Sequence, residues 1–327
     1  SILINVNHTT PIISVVVDPA HLYGATGIFD NWGTDWERFA QIAYFDSSST
    51  HPLLFERSTS MQIDGGWGGS RYHPQHSFRL ELAKGALGET PVELPLLPNR
   101  PEREKYSKLY LRNGSNMWLA YPWKDAMHVE MMMGETNGYF SAMRPAVVYI
   151  NGNYFGVYEM REKLDREYFE VYDNCEGSPM DNLTQSAWYG GQLRANEGDI
   201  MNYVDSFNSF SALNPTSSNY LEEADQIFDM EYLTDYIIGE AWVGNTDWPG
   251  NNIRIYRSDS TFNRWRFVTI DLELALQPYG WSDCYFNGLN HAIGHGEGHF
   301  YVGPWVKSLQ NEEYRNYFIN RYADILN

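Results

Sequence analysis

The stretch Gly244-Asn-Thr-Asp-Trp-Pro-Gly-Asn-Asn-Ile-Arg-Ile-Tyr256, followed by Trp265-Arg-Phe-Val-Thr-Ile-Asp-Leu-Glu273, decides how this chain is read. The first part is a polar Gly/Pro loop running into a short β-type run. The second is a β run that ends in an acid. Asp247, the amide Asn252 five residues on, and Asp271 at a strand end form the set that phosphoryl transfer needs. One acid orients a hydroxyl, while an amide oxygen and a second acid hold Mg²⁺ on the phosphates. Asp271 and Glu273 alternate onto one strand face, so Glu273 is either a second ligand or a solvated neighbour.

Upstream, Asp229 to Trp242 carries apolar residues at 230, 233, 237, 238 and 241, which is helical spacing and delivers the chain into the Asp247 loop. The first 110 residues read as β-rich, with short runs at 12–17, 39–45 and 78–82 bounded by turn clusters. A glycine-rich turn, Asp64-Gly-Gly-Trp-Gly-Gly-Ser-Arg71, precedes the last of these runs. It lacks the Gly-Lys-Ser/Thr of a Walker loop, and its glycines alone imply only tight backbone geometry. Residues 124–143 read as helical. Ala146 to Ile150, Asn151-Gly152 and Gly156 to Met160 read as a hairpin, since Asn-Gly favours the turn with positive φ at both central residues. A helix follows over 161–172, then a polar irregular stretch over 173–215 with a helix near 197–210. Residues 304–326 are helical again. The order predicts an α+β plan in two parts.

Composition narrows the function classes. The 327 residues carry 42 acidic and 23 basic side chains, a net charge of −19. So acidic a chain repels nucleic-acid phosphates, and any phosphate ligand must be met by local Arg or a metal ion. No apolar run reaches the length of a membrane span. Cys175 and Cys284 are too few for a disulfide scaffold, and whether they pair is left open. The 24 Tyr and 11 Trp suit a secreted, sugar-rich setting. His291, His295 and His299, interleaved with Gly294, Gly296 and Gly298, read as a polar loop rather than a helical metal site. Three glycosylation-type triplets stand at Asn7, Asn113 and Asn182.

Taken together, the blocks resemble the spore coat protein H-type (CotH) atypical kinases over roughly residues 60–327. They are Gly65 to Arg79, Leu109-Tyr-Leu-Arg-Asn-Gly114, the hairpin Val148-Tyr-Ile-Asn-Gly-Asn-Tyr-Phe-Gly-Val-Tyr-Glu-Met-Arg-Glu162, Asn245 to Asn252, and Trp265 to Glu273. Protein kinases space their catalytic-loop Asp and Asn as Asp247 and Asn252 are spaced. The resemblance implies a two-lobed, protein-kinase-like fold, with a β-rich first lobe, a mostly helical second lobe, and ATP between them. Residues 1–60 would extend the first lobe and 61–327 would form the kinase-like domain. Asp247 would be the catalytic acid/base, with Asn252 and Asp271 as Mg²⁺ ligands. Gly68, Ser70 and Arg71 would cover the phosphates, Arg79 would neutralise their charge, and Glu162 would be a helix-borne acid orienting a basic residue. His76 departs from the pattern, standing where the family often has Lys.

The reading that follows is an extracellular or surface-exposed bacterial kinase using ATP and Mg²⁺, with a protein substrate or surface polymer as partner. The alternative is a catalytically weak kinase-like shell that binds a polysaccharide or protein. A two-carboxylate glycoside hydrolase is a third reading, which leaves the Asn252 spacing unexplained.

Overall fold

The computed structural model describes residues 8–276 and 285–327, apart from 49, 67, 88, 188 and 189. The chain divides into two compact units. The first runs to Ala126 and takes in Ser141–Tyr168; the second is Met127–Phe140 with Phe169–Asn327.

The first unit is built on β1 (Ile12–Val17), β2 (Glu37–Phe45), β3 (Leu53–Ile63), β4 (Phe78–Glu81), β5 (Val92–Glu93), β6 (Lys105–Tyr106), β7 (Lys108–Arg112), β8 (Met143–Ile150) and β9 (Asn153–Arg161). Seven of these close into a barrel in the order β1-β2-β3-β4-β7-β9-β8, and β5 pairs with β6 separately. Closure comes from a parallel pairing of β1 with β8, with Ile12 beside Val147. Short helices α1 (Pro19–Leu22) and α2 (Gly69–Tyr72) lie in its connections.

Alternation along the strands sorts two kinds of row across the sheet. Ile63, Phe78, Leu111 and Met160 stand side by side on four successive strands, and all are buried. Each such side chain contributes about 1.5–3 kcal/mol by leaving water. The neighbouring row on the opposite face is polar: Glu37, Gln62, Arg79, Tyr110 and Arg161. The β8–β9 turn has Asn151 at φ 52° and Gly152 at φ 81°, the hairpin geometry that the Asn-Gly pair predicts.

Chain order continues through helices α3 (Lys124–Met132), α4 (Arg166–Asp173), α5 (Ile200–Ala212), α6 (Tyr220–Asp225), α7 (Met230–Trp242), α8 (Gly288–Gly294), α9 (Gly303–Ser308) and α10 (Glu312–Leu326). The second unit also holds a four-stranded antiparallel sheet, β11-β10-β12-β13, made of β10 (Met180–Gln185), β11 (Leu193–Glu197), β12 (Ile253–Ser258) and β13 (Arg266–Val268). Its core gathers Leu183, Ile253, Ile255 and Phe267 from the sheet with Ile237 of α7 and Trp305 of α9.

The expected two-lobed kinase-like fold is therefore corrected. The chain forms a closed seven-stranded barrel, and its second part carries a sheet of its own rather than being mostly helical. Two physical causes hid this. Barrel closure depends on a pairing between residues about 135 positions apart, which no local pattern encodes. And β10, Met-Asp-Asn-Leu-Thr-Gln, reads as polar loop although it is the buried inner strand of its sheet. Its Asp181 is buried because Asn202 Nδ2, Arg257 Nε and the Asp199 backbone N–H all donate to it. The helix expected over 124–143 stops at Met132, near Gly134 at φ 95°, and β8 begins at Met143. His291 lies inside α8, where the glycine spacing had suggested a loop. Cys175 is free and buried; Cys284 lies outside the described residues.

Candidate functional site

Helix α7 starts from Asp229 and ends at Val243, with Gly244 at φ 61° turning the chain out of it. The loop that follows is tied at each step. Asn245 Nδ2 donates to Glu240 Oε2 at 2.9 Å, and the Asp247 backbone N–H donates to Asn245 Oδ1 at 3.2 Å. Trp248 is buried against Tyr236, and its carbonyl accepts from His291 Nε2 at 2.8 Å. Gln185 Nε2 donates to the Gly250 carbonyl at 2.9 Å. Asn252 takes a left-handed conformation at φ 55°, which Asn tolerates better than most residues, and the chain then enters β12.

The β12–β13 ladder does the rest. Its final pair is Arg254 with Val268, so continuing the antiparallel register brings Asp271 alongside Asn251 and Asn252. Asp271 is itself left-handed, at φ 57°. The segment after it is anchored from behind: the Leu272 carbonyl accepts from His128 Nδ1 at 3.0 Å, and the Leu276 N–H donates to the Val243 carbonyl. Leu272 and Ala275 pack with Val129, Met132, Phe140 and Val243.

Three side-chain heads meet as a result. Asn252 Nδ2 lies 2.8 Å from Asp247 Oδ2 and 3.3 Å from Asp271 Oδ2. Asn251 Nδ2 is 2.7 Å from Asp247 Oδ2, and Asn251 Oδ1 accepts from the Ala187 N–H at 2.6 Å, which fixes the way that amide faces. Burial pushes the Asp247 carboxyl above its ordinary value, the Asn251 amide works against this, and the negative charge of Asp271 adds to the rise.

The donor set suits a hard cation. Turning the Asn252 amide over puts Oδ1 between two carboxylates that repel each other, and Mg²⁺ is commonly held by one or two carboxylates with phosphate and water completing the shell. No cluster of three His, Cys, Asp or Glu side chains suited to a metal occurs among the described residues, so the protein's share here is two carboxylates and an amide. Glu273 is buried.

The other predicted residues lie in the first unit. Gly65 has φ 109°, and a Cβ there would strike the Ser70 side chain at 2.5 Å; one on Gly69 would strike the Ser115 carbonyl at 2.1 Å. These glycines permit close packing of the turn, as does Gly68 against Asn116. Ser70 is buried, and its carbonyl accepts from the Ser77 N–H. Arg71 is only 3% exposed, and its guanidinium donates to the carbonyls of Gly65, Trp32 and Thr34 and to Asp35. Arg79 contacts Glu81 at 2.8 Å, Gln62, and Glu37 at 3.7 Å. His76 is buried, and burial holds it below the ordinary His value, so it is neutral. Glu162 lies just past β9 rather than on a helix; it is buried, with Oε2 3.1 Å from Arg103 and Oε1 accepting from the Ala142 N–H.

Sequence reading missed Asn245, Asn251, His128 and His291. Asn251 had a signal, its adjacency to Asn252. His128 and His291 had none, because each acts on a backbone carbonyl that only the fold brings near.

A family model described as CotH kinase protein matches residues 61–327. No curated protein matches the chain.

Proposed function

We propose that this chain, which belongs to the CotH kinase protein family, transfers the γ-phosphoryl group of ATP to a protein hydroxyl, working outside the cell or at its surface. The observation that carries the reading is the meeting of Asp247, Asn252 and Asp271 at one amide nitrogen. Asp247 accepts the hydroxyl proton, a role favoured by a carboxyl whose proton affinity is raised by burial and by Asp271. The hydroxyl oxygen bonds to the γ-phosphorus as the bond from that phosphorus to the β,γ-bridging oxygen breaks, and the electron pair leaves with ADP. A Mg²⁺ ion held by Asp271 and Asn252 Oδ1 would neutralise charge on the phosphates. Asn251 and Asn245 orient Asp247 through its carboxylate and its backbone N–H, so the base is positioned before substrate arrives.

A second reading, a family member without turnover that binds a surface polymer or protein, is favoured by the buried neutral His76 and the occupied Arg71 fork. Transfer of radiolabelled phosphate from ATP separates the two. Labelling by the wild type that is lost in both Asp247→Ala and Asp271→Ala supports the kinase. Labelling that survives both substitutions removes the site assignment, and no nucleotide uptake by the wild type leaves the second reading.

A further inference from the structure

A chain of net charge −19 that handles a polyphosphate needs a cation placed where the phosphates sit. Around the glycine-rich turn the described basic candidates include Arg71, His73, His76, Arg79 and Lys163, and burial holds the His73 ring below its ordinary value. Arg71 gives its fork to three carbonyls and Asp35, and His76 is buried and uncharged. Arg79 is divided among Glu81, Gln62 and Glu37.

Lys163 is differently placed. Asp64 lies just past the end of β3 and Lys163 two residues past the end of β9, two strands whose residues Gln62 and Arg161 belong to the polar row of the barrel. They meet, with Lys163 Nζ 2.5 Å from Asp64 Oδ2. The ammonium stands 4.7 Å from the centre of the Tyr110 ring, so it is held over that face of the sheet. The Lys163 side chain stays 31% exposed, and one Asp64 oxygen takes one of its three donors. Asp64 immediately precedes the turn, and its other oxygen accepts from the Gly65 N–H at 2.9 Å, so the acid ties the lysine to the glycine backbone. Burial works to raise the Asp64 carboxyl, but Lys163, Arg79 and the Gly65 N–H outweigh it and hold it at about 2. The acid is therefore charged at any working pH.

We propose that Lys163, oriented by Asp64, is the side chain that grips the nucleotide's phosphates at the glycine-rich turn of this chain, in place of the missing lysine at position 76. The pair repeats with other residues the device in which a carboxylate aims a lysine at phosphate. The inference rests on the kinase reading above and goes further by naming the cation.

The test is calorimetric titration of the full chain with MgATP, tripolyphosphate and adenosine. For Lys163→Met, the expected result is roughly tenfold or greater weakening toward MgATP and tripolyphosphate, with adenosine affinity unchanged. Lys163→Arg recovers most of the loss, and Asp64→Asn weakens MgATP less than Lys163→Met does. Lys163→Gln, which keeps a hydrogen bond to Asp64 without the charge, carries the same expectation if the Met variant does not fold. MgATP affinity equal to wild type in both neutral variants overturns the inference. So does an equal loss of adenosine and MgATP, which marks a merely structural ion pair. A wild type that takes up neither MgATP nor adenosine at about millimolar concentration overturns the kinase reading together with this one; uptake by wild type and variant alike overturns this one alone.

Discussion

Two pairs of carboxylates in this molecule are held in opposite ways. In the first unit, Glu159 and Asp125 face Arg161, at 2.8 and 2.5 Å, with Arg112 at 4.0 Å from Glu159. In the second, the Asp247 carboxylate is met by the neutral amides of Asn251 and Asn252, and the charge that bears on it is that of Asp271. The arginine-bound acids already have their countercharge and serve the fold. The amide-bound pair is met by neutral donors, and the charge of one acid raises the proton affinity of the other. The lesson is that a buried acid's neighbour, charged or neutral, separates scaffolding from chemistry better than its burial does.

The largest expected effect tests the amide-held pair directly. Asp271→Ala and Asp247→Ala each lower phosphate transfer by about 10²–10³-fold, read from radiolabel incorporation, with circular dichroism unchanged. An Asp247→Ala variant that keeps wild-type transfer breaks the comparison. Next, Asn252→Ala raises the Mg²⁺ concentration for half-maximal transfer by about 10–100-fold, whereas Arg161→Lys leaves it unchanged.

The arginine-held pair is tested by pH. Burial pushes Glu159 from an ordinary carboxyl value of 4.5 to about 7, against the pull of Arg161 and Arg112. The folded state then binds this proton more tightly than the unfolded state does. Stability is therefore highest below pH 4.5 for this group, falls as pH rises to about 7, and is flat above, a change on the order of 1–3 kcal/mol. In Glu159→Gln that slope disappears from denaturant midpoints taken across the window; a slope that persists assigns it to another group. The smallest effect marks a third kind of acid, an exposed helix cap. Asp199 accepts from the Met201 N–H at 2.9 Å at the start of α5, and Asp199→Ala costs about 1 kcal/mol by thermal melting with no change in transfer.

Much of this site could be read from the chain, because its parts are local. Asp247 and Asn252 share one loop, and Asp271 ends a β run whose short-range pairing with β12 follows from a tight connection. The helix leading in, Met230–Trp242, followed from apolar spacing, and the β8–β9 hairpin from Asn151-Gly152. What the chain did not disclose was availability. Arg71 looks like a phosphate ligand in sequence and is spent on three carbonyls and Asp35; Lys163 looks like one of several charges near a helix start and stands beside the glycine turn. Hydrogen-bond partners remote in sequence decide such matters.

By itself the amino-acid order pointed to Asp247, Asn252 and Asp271 as candidates for chemistry, to helices near 197–210 and over 229–242, and to an amide and two acids sharing one loop-and-strand unit. Closure of the barrel, the pairing of β10 into a sheet despite its polar side chains, and the choice of which cations are spent and which remain exposed were settled by tertiary structure. The physical reason is range. Periodicity and turn chemistry act over a few residues, whereas a parallel pairing of β1 with β8 or a buried Asp181 is favourable only once distant segments have supplied the missing hydrogen bonds.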